Sequence, residues 1–112
     1  MTVAGPLGQR TFRFALDTGA TLAVTHPRAL PRVGYGDEAR GGLLNVATAG
    51  GRVAVRSVHV DSIACLGSSR QRFAILMHRL PDEAKVDGLL GLDFLRDHRL
   101  TIDFRARTIE LD

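Results

Sequence analysis

Cysteine, tryptophan and long apolar segments are scarce or absent in this sequence, and each absence excludes a class of protein. Among the 112 residues the only cysteine is Cys65, so no internal disulfide can form. No run of 18 or more apolar residues could cross a membrane as a helix. The N-terminal segment MTVAGPLGQR has neither the basic nor the apolar region of a secretory signal. We therefore expect a cytoplasmic protein, unless the chain is cut from a longer, membrane-anchored one.

Aromatic residues and metal-ligand patterns are equally sparse. Five phenylalanines and one tyrosine are the only aromatics, and no basic run interleaves with them, so we expect no nucleic-acid partner despite a net charge of +3. The four histidines show none of the spacings of a metal site, and we expect neither a metal nor a cofactor. The Ser68-Ser69 pair lacks the context of a nucleophilic serine, and no base is identifiable for it.

Short apolar segments separated by glycine make up most of the chain. Alternating or extended apolar segments predict strands, and these lie at residues 11–16, 22–25, 43–48, 52–60, 73–77, 100–104 and 109–111. The triplet Ala49-Gly50-Gly51 is typical of a tight hairpin turn, because glycine tolerates a positive φ. The apolar phase slips within residues 52–60, and a bulge or bend near Arg56-Ser57 would absorb that slip.

Helical segments are few and short. Residues 26–31 allow at most one helical turn, because Pro31 disfavours a helical conformation at Leu30. An aspartate can cap the free N–H groups at the start of a helix, so Asp93 predicts a helix that runs to about His98. We therefore interpret residues 1–112 as a single all-β domain with one short helix near the C-terminus.

One acidic residue, Asp17, stands between an apolar strand and the bend predicted at Thr18-Gly19. An aspartate there can stabilise its own turn, or it can act as a catalytic carboxylate. The context favours the second interpretation, because the Asp-Thr-Gly triplet ends an apolar strand. In addition, a later apolar triplet, Leu89-Leu90-Gly91, leads into the predicted helix.

Taken together, FALDTGAT and VDGLLGLDFLRDHRLTIDF resemble the retropepsins, the aspartic proteases of retroviruses, and more closely their cellular and bacterial single-domain relatives. The similarity covers nearly the whole chain. It implies a closed β-barrel of the acid protease type, with the hairpin at residues 49–51 as its flap. It also implies a homodimer, because each chain supplies one catalytic aspartate, and Asp17 of both subunits would meet at the two-fold axis.

The same resemblance implies roles for further residues. Thr18 would form hydrogen bonds across the dimer axis, and Gly19 would keep the backbone close to an extended substrate and tolerate the turn. The substrate would be a peptide or an unfolded protein segment. The positions that would bind it are Ala15, Ala20, Thr21, Val24, Ala49, Gly50, Gly51, Asp87 and Leu89.

Elementary chemistry also favours two carboxylates. Peptide hydrolysis needs one group that takes a proton from water and another that gives one to the amide. Two carboxylates a few Å apart share one proton, because both cannot ionise without strong repulsion. A monomer with Asp17 alone has half of that machinery.

The sequence departs from the viral enzymes near the expected dimer interface. An acidic residue and an arginine that pair in those enzymes correspond to Thr21 and Leu92 here, so that pair is absent. The chain also continues past Phe104, so we expect the sheet that viral termini form between subunits to be rearranged. Almost nothing precedes Val3, so we expect either a short first strand or a trimmed sequence. The alternative function is a non-catalytic dimeric module that binds peptides with the same fold.

Overall fold

The computed structural model describes residues 1–36, 41–48 and 50–112. Within them, the strands form a curled eight-stranded sheet and a separate two-stranded sheet, which confirms the all-β prediction. The strands are β1 (Thr2–Gly5), β2 (Gly8–Thr11), β3 (Phe14–Leu16), β4 (Val24–Thr25), β5 (Leu43–Thr48), β6 (Gly51–Cys65), β7 (Ser68–Met77), β8 (Gly88–Leu90), β9 (Leu100–Asp103) and β10 (Thr108–Leu111). The helical elements of the described residues are α1 (Leu92–Leu95) and the 3-10 helices Pro27–Val33 and Asp82–Ala84.

The large sheet has the order β2-β1-β6-β7-β4-β8-β3, and β5 pairs with β6 outside this path. Strand β8 lies between β3, to which it is parallel, and β4, to which it is antiparallel. Gly88 makes this close approach possible, because a Cβ at that position would collide with the Val24 carbonyl oxygen and the Phe14 ring. Strand β8 therefore lies between the strand that leads into the predicted catalytic loop and the strand that follows it.

The core lies on the inner side of the curled sheet and is closed by α1. Its largest fully buried side chains include Phe12, Ile63, Ile75 and Phe94. The Phe94 ring meets Phe73 of β7 edge to face, with the ring centroids 6.2 Å apart. The short helix is thus held by packing against the sheet, since one turn of helix has little stability of its own.

Strand β6 is long enough to pair with three strands, β5, β7 and β1. Residues 51–56 pair with β5 and residues 56–65 pair with β7, so Arg56 has a partner on each side, Leu43 and Met77. The predicted bulge at Arg56-Ser57 is absent, because the β6–β7 register runs on without a shift through this point. The apolar residues move from odd-numbered to even-numbered positions along the strand because the face that is buried changes. Val53 and Val55 face a cavity, whereas the next two valines of the strand belong to the core.

The strand expected over residues 11–16 is broken in two. Strand β2 ends at Thr11 and β3 begins at Phe14. Between them, the Arg13 N–H donates to the Asp87 carboxylate over 2.9 Å, and the Asp87 N–H donates to the Arg13 carbonyl over 2.7 Å. The chain therefore changes partner at Arg13, from the edge formed with β1 to the neighbourhood of β8.

Both helix predictions need correction. The 3-10 helix Pro27–Val33 is longer than the single turn expected, because Pro31 begins a second turn, where its missing N–H is not needed. Asp93 is not the N-cap of α1, which is Gly91, and α1 ends at Leu95 rather than near His98. The Asp93 carboxylate instead accepts hydrogen bonds from the N–H groups of Ala23 and Phe94.

The last two strands form the predicted C-terminal hairpin. Ile102 of β9 pairs with Ile109 of β10, and Leu100 pairs with Leu111 on the same face. The leucine pair packs against the core, whereas Ile102 and Ile109 are exposed, as is the adjacent Phe104 at 88%. Within the described residues, no helix has the length and apolar character needed to cross a membrane.

Candidate active site

The loop that carries Asp17 begins where β3 ends and is tied to β8. The Asp17 N–H donates to the Leu90 carbonyl oxygen over 3.0 Å, which continues the parallel β3–β8 pairing into the loop. The Asp17 carboxylate accepts a hydrogen bond from the Gly19 N–H at 2.9 Å, and its carbonyl accepts one from Ala20 at 3.1 Å. The backbone therefore fixes the position of this carboxylate from both ends.

Gly19 is needed for space rather than for an unusual backbone angle. It lies in the turn after Asp17, and its φ is outside the left-handed region. A Cβ on this residue would lie 3.2 Å from the Asp17 Oδ1, closer than an ordinary contact. The absence of a side chain lets the Gly19 N–H approach the carboxylate directly.

The start of α1 holds the chain that follows Gly19. The Leu92 N–H donates to the Ala20 carbonyl over 2.8 Å, and the Asp93 N–H donates to the Thr21 carbonyl over 3.1 Å. In return, the Ala23 N–H donates to both Asp93 carboxylate oxygens, at 3.0 and 3.1 Å. Residues 20–23 and the first turn of α1 thus form one hydrogen-bonded unit behind Asp17.

Gly91 allows this unit to pack closely. A Cβ at Gly91 would lie 2.7 Å from the Leu22 carbonyl carbon and 2.9 Å from the Ala20 carbonyl oxygen. Both atoms belong to backbone that cannot rotate away, so any larger residue would displace the loop. The triplet Leu89-Leu90-Gly91 therefore contributes a core strand and a contact surface for the Asp17 loop.

A cavity of about 530 Å³ lies between this loop and the hairpin of β5 and β6. Its walls are mostly aliphatic. The residues that line it are Asp17, Gly19, Ala20, Thr21, Leu22, Val24, Val46, Ala47, Thr48, Val53, Val55, Leu76, His78, Leu80 and Leu89. An apolar cavity with one carboxylate at its edge suits an extended peptide with apolar side chains.

The structure brings together only part of the predicted site. Six predicted residues line the cavity: Asp17, Gly19, Ala20, Thr21, Val24 and Leu89. Thr18 and Gly50 are exposed and lie outside the lining, as do Ala15, Gly51 and Asp87. Ala49 lies outside the described residues. Gly51, at φ 116°, shows the left-handed conformation expected for this turn.

Asp87 is occupied by other interactions. Besides the Arg13 N–H, its carboxylate accepts a hydrogen bond from the Arg32 guanidinium at 3.2 Å. Its carbonyl accepts the His26 N–H at 2.7 Å. Burial, together with the charges of Arg28 and Arg79, lowers the pKa of His26 below its ordinary value of 6.5. These contacts make Asp87 a brace between β8 and the first 3-10 helix.

Sequence reasoning missed the hairpin side of the cavity. Val46 pairs with Val53 across the hairpin, and Val55 is two residues further along the same face. The signal was present in part, because the sequence predicts a hairpin here and alternate residues of a strand share a face. The residues after β7, His78 and Leu80, carried no comparable pattern.

A histidine does lie beside Ser68, contrary to the expectation that no base could be identified. The Ser68 hydroxyl is 2.9 Å from the His98 Nε2, and the His98 Nδ1 is 2.9 Å from the Arg96 carbonyl oxygen. This pair is remote from the cavity lining, at the turn between β6 and β7. Among the residues described, no group of three or more potential metal ligands comes together.

Comparison with protein families matches most of the chain to a known family. The model of a family described as aspartyl protease matches residues 2–94. The match includes the Asp17 loop, the hairpin and α1 up to Phe94, and it ends before the C-terminal hairpin. No solved structure matches the chain significantly.

Proposed function

The chain belongs to the aspartyl protease family, and from this premise we propose that it is an aspartic endopeptidase whose active site is completed by a second copy of the chain. The observation that carries the proposal is the position of Asp17. Its carboxylate is held by the Gly19 N–H at the edge of an apolar cavity. Each chain supplies one such carboxylate, and peptide hydrolysis by proton exchange needs two.

In this mechanism the two Asp17 carboxylates share a single proton. The ionised carboxylate takes a proton from a water molecule, whose oxygen attacks the carbonyl carbon of the scissile bond. The protonated carboxyl donates a hydrogen bond to the carbonyl oxygen and stabilises the charge that develops there. A proton then passes to the leaving nitrogen, and the C–N bond breaks.

The remaining cavity residues would bind the substrate. The backbone at Gly19, Ala20 and Thr21 would pair with an extended peptide in the manner of strand addition. Val24 and Leu89 on one wall, and the valines of the hairpin on the other, would receive apolar side chains. The turn of the hairpin would act as a flap that covers the substrate and excludes water.

Exposed apolar side chains beside the loop support the homodimer. Leu22 and Leu92 are 37% and 44% exposed and flank the segment that follows Asp17. If two Asp17 residues meet on a two-fold axis, both leucines become part of a self-complementary interface. They would contribute apolar contact where the viral enzymes have a charge pair.

The alternative, a non-catalytic dimeric module that binds peptides, rests on the same cavity. It is favoured only by the missing charge pair at Thr21 and Leu92, since a weak dimer would form the active site rarely. An ionisable side chain at the dimer axis has no use in a module that only binds. We therefore place the endopeptidase first.

The decisive experiment compares wild-type protein with Asp17→Asn on a mixed peptide library at mildly acidic pH, with fragments detected by mass spectrometry. Wild-type protein should release fragments and Asp17→Asn should not, although its melting temperature should be unchanged because no core contact is lost. Asp103→Asn, which alters a carboxylate at the C-terminal turn, is the matched control and should cleave normally. Equal cleavage by wild type and Asp17→Asn would refute the proposal. Molar mass measured across concentration tests the dimer.

A further inference from the structure

Few of the described residues that line the cavity have titratable side chains. Among the described residues that line it, only Asp17 and His78 have titratable side chains. Asp17 is accounted for by the proposed chemistry. His78 has no role in that chemistry, although it lies in a mostly aliphatic wall.

The backbone of His78 is fixed while its side chain stays accessible. The residue follows β7 directly, and its N–H donates to the Thr25 carbonyl over 3.0 Å, which extends the parallel pairing of β4 with β7. Its side chain is exposed and contributes to the cavity surface. A bound ligand could therefore reach the imidazole without any rearrangement of the strand.

The acidic residues of this region are already paired with arginines. Asp82 lies 3.7 Å from Arg28, and Asp87 lies 3.2 Å from Arg32. Within residues 1–36, 41–48 and 50–112 these are the ion pairs, and neither His78 nor the adjacent Arg79 takes part in one. Among the described residues, no carboxylate lies within ion-pair distance of the His78 imidazole.

We propose that His78 is a specificity-determining residue that selects substrates with an acidic side chain near an otherwise apolar cleavage segment. The carboxylate of a substrate Glu or Asp would accept a hydrogen bond from the imidazolium, while the aliphatic walls receive its neighbours. The proposal rests on the proposed function in one respect, namely that this cavity is where the peptide binds. The contact is partly exposed, so we expect about a two- to fivefold preference for Glu over the isosteric Gln.

The test uses binding rather than cleavage, so that it does not depend on the chemistry. A fluorescent octapeptide of apolar residues is prepared as a series in which Glu or Gln occupies each position in turn. Affinities are measured by anisotropy with Asp17→Asn protein at about pH 5.5, between the ordinary titration ranges of carboxylates and imidazoles. At one or two positions the Glu peptide should bind about two to five times more tightly than its Gln partner. Adding His78→Gln, which keeps a hydrogen-bond donor but removes the charge, should abolish this difference.

Arg79→Gln and His59→Gln are the matched controls in the same background. Arg79 is adjacent to His78 but outside the cavity lining, and His59 is an exposed histidine of β6. Both should retain the preference for Glu. Four outcomes would each overturn the proposal. Glu and Gln peptides could bind equally, or no peptide could bind at all. The preference for Glu could survive in His78→Gln, or it could be lost equally in Arg79→Gln. If wild-type protein cleaves nothing while the preference is present and needs His78, the endopeptidase function fails and the binding role stands.

Discussion

The hydrogen bonds of Asp93 allow a quantitative test of how the Asp17 loop is held. Asp93→Ala removes the acceptor of the Ala23 N–H, which donates to both carboxylate oxygens. Ala23 is 1% exposed, so water cannot replace the lost acceptor. The other donor, the Phe94 N–H, keeps a second acceptor in the Gly91 carbonyl at 3.2 Å. The loss is therefore concentrated in one buried N–H group.

A buried donor left without a partner costs about 1–3 kcal/mol, and a hydrogen bond to a charged group contributes about 1.5–3 kcal/mol. These are two descriptions of the same loss, so we expect the free energy of unfolding to fall by about 2–3 kcal/mol. For a domain of this size that corresponds to a decrease of roughly 10 °C in melting temperature. Asp93→Asn keeps one acceptor oxygen and should lose about half as much.

Urea unfolding followed by circular dichroism measures these differences, and Asp103→Ala is the control. Asp103 also accepts two backbone N–H groups, from Arg105 at 2.9 Å and Ala106 at 3.0 Å, but at an exposed turn where water can take its place. Its replacement should cost less than about 1 kcal/mol. Losses of equal size for Asp93→Ala and Asp103→Ala would show that burial of the Ala23 N–H is not the source of the effect.

Two further predictions concern the same region. Gly91→Ala should lower stability by about 1–3 kcal/mol through overpacking, and peptide cleavage by as much as about 100-fold through displacement of the loop. Gly42→Ala, where no atom lies within 4 Å of the added Cβ, should change neither, and normal cleavage by Gly91→Ala would contradict the packing argument. Burial and neighbouring arginines lower the pKa of His26 in the folded protein. As the pH falls, the unfolded chain therefore binds a proton at this histidine before the folded chain does. The contribution of His26 to the free energy of unfolding is complete above about pH 6.5 and declines below that value. His26→Asn keeps an acceptor for the Arg28 N–H and should flatten this dependence in urea unfolding at about pH 7.5 and 5, whereas equal slopes for both proteins would refute the assignment.

Strands with alternating apolar residues could be predicted from the sequence, and strands without them could not. The β5–β6 and β9–β10 hairpins follow from alternation on either side of a turn. Strand β2 was missed because all four of its residues are exposed, so it has no apolar periodicity. For the same reason the prediction found only the second half of β7, whose first residues, Ser68 to Arg72, are polar. Pairing with a neighbouring strand, rather than burial of side chains, determines where such strands begin.

The residues of the candidate site also fall into those that the sequence predicts and those that it does not. Asp17 and the loop after it were predictable because a triplet of adjacent residues defines them. For Asp93 the sequence predicts the correct helix, but it predicts a cap of that helix instead of the hydrogen bond with the Ala23 N–H. That hydrogen bond joins segments that only the folded chain brings together. The cavity wall at His78 depends on how β4, β7 and the hairpin are placed in space, which no local pattern encodes.

The pairing of Arg56 with a strand on each side has a mechanical consequence. Arg56 is paired on both sides, so the hairpin arm cannot swing freely at that point and behaves as a rigid lever continuous with the curled sheet. The arm from residue 51 to residue 56 is roughly 17 Å long at about 3.3 Å per residue, and a tilt of about 5° at its base moves its tip by roughly 1.5 Å. Substitutions on the remote face of β6 or β7 that alter sheet twist would thus be amplified at the arm's end, changing the clearance above Asp17 without touching any residue there.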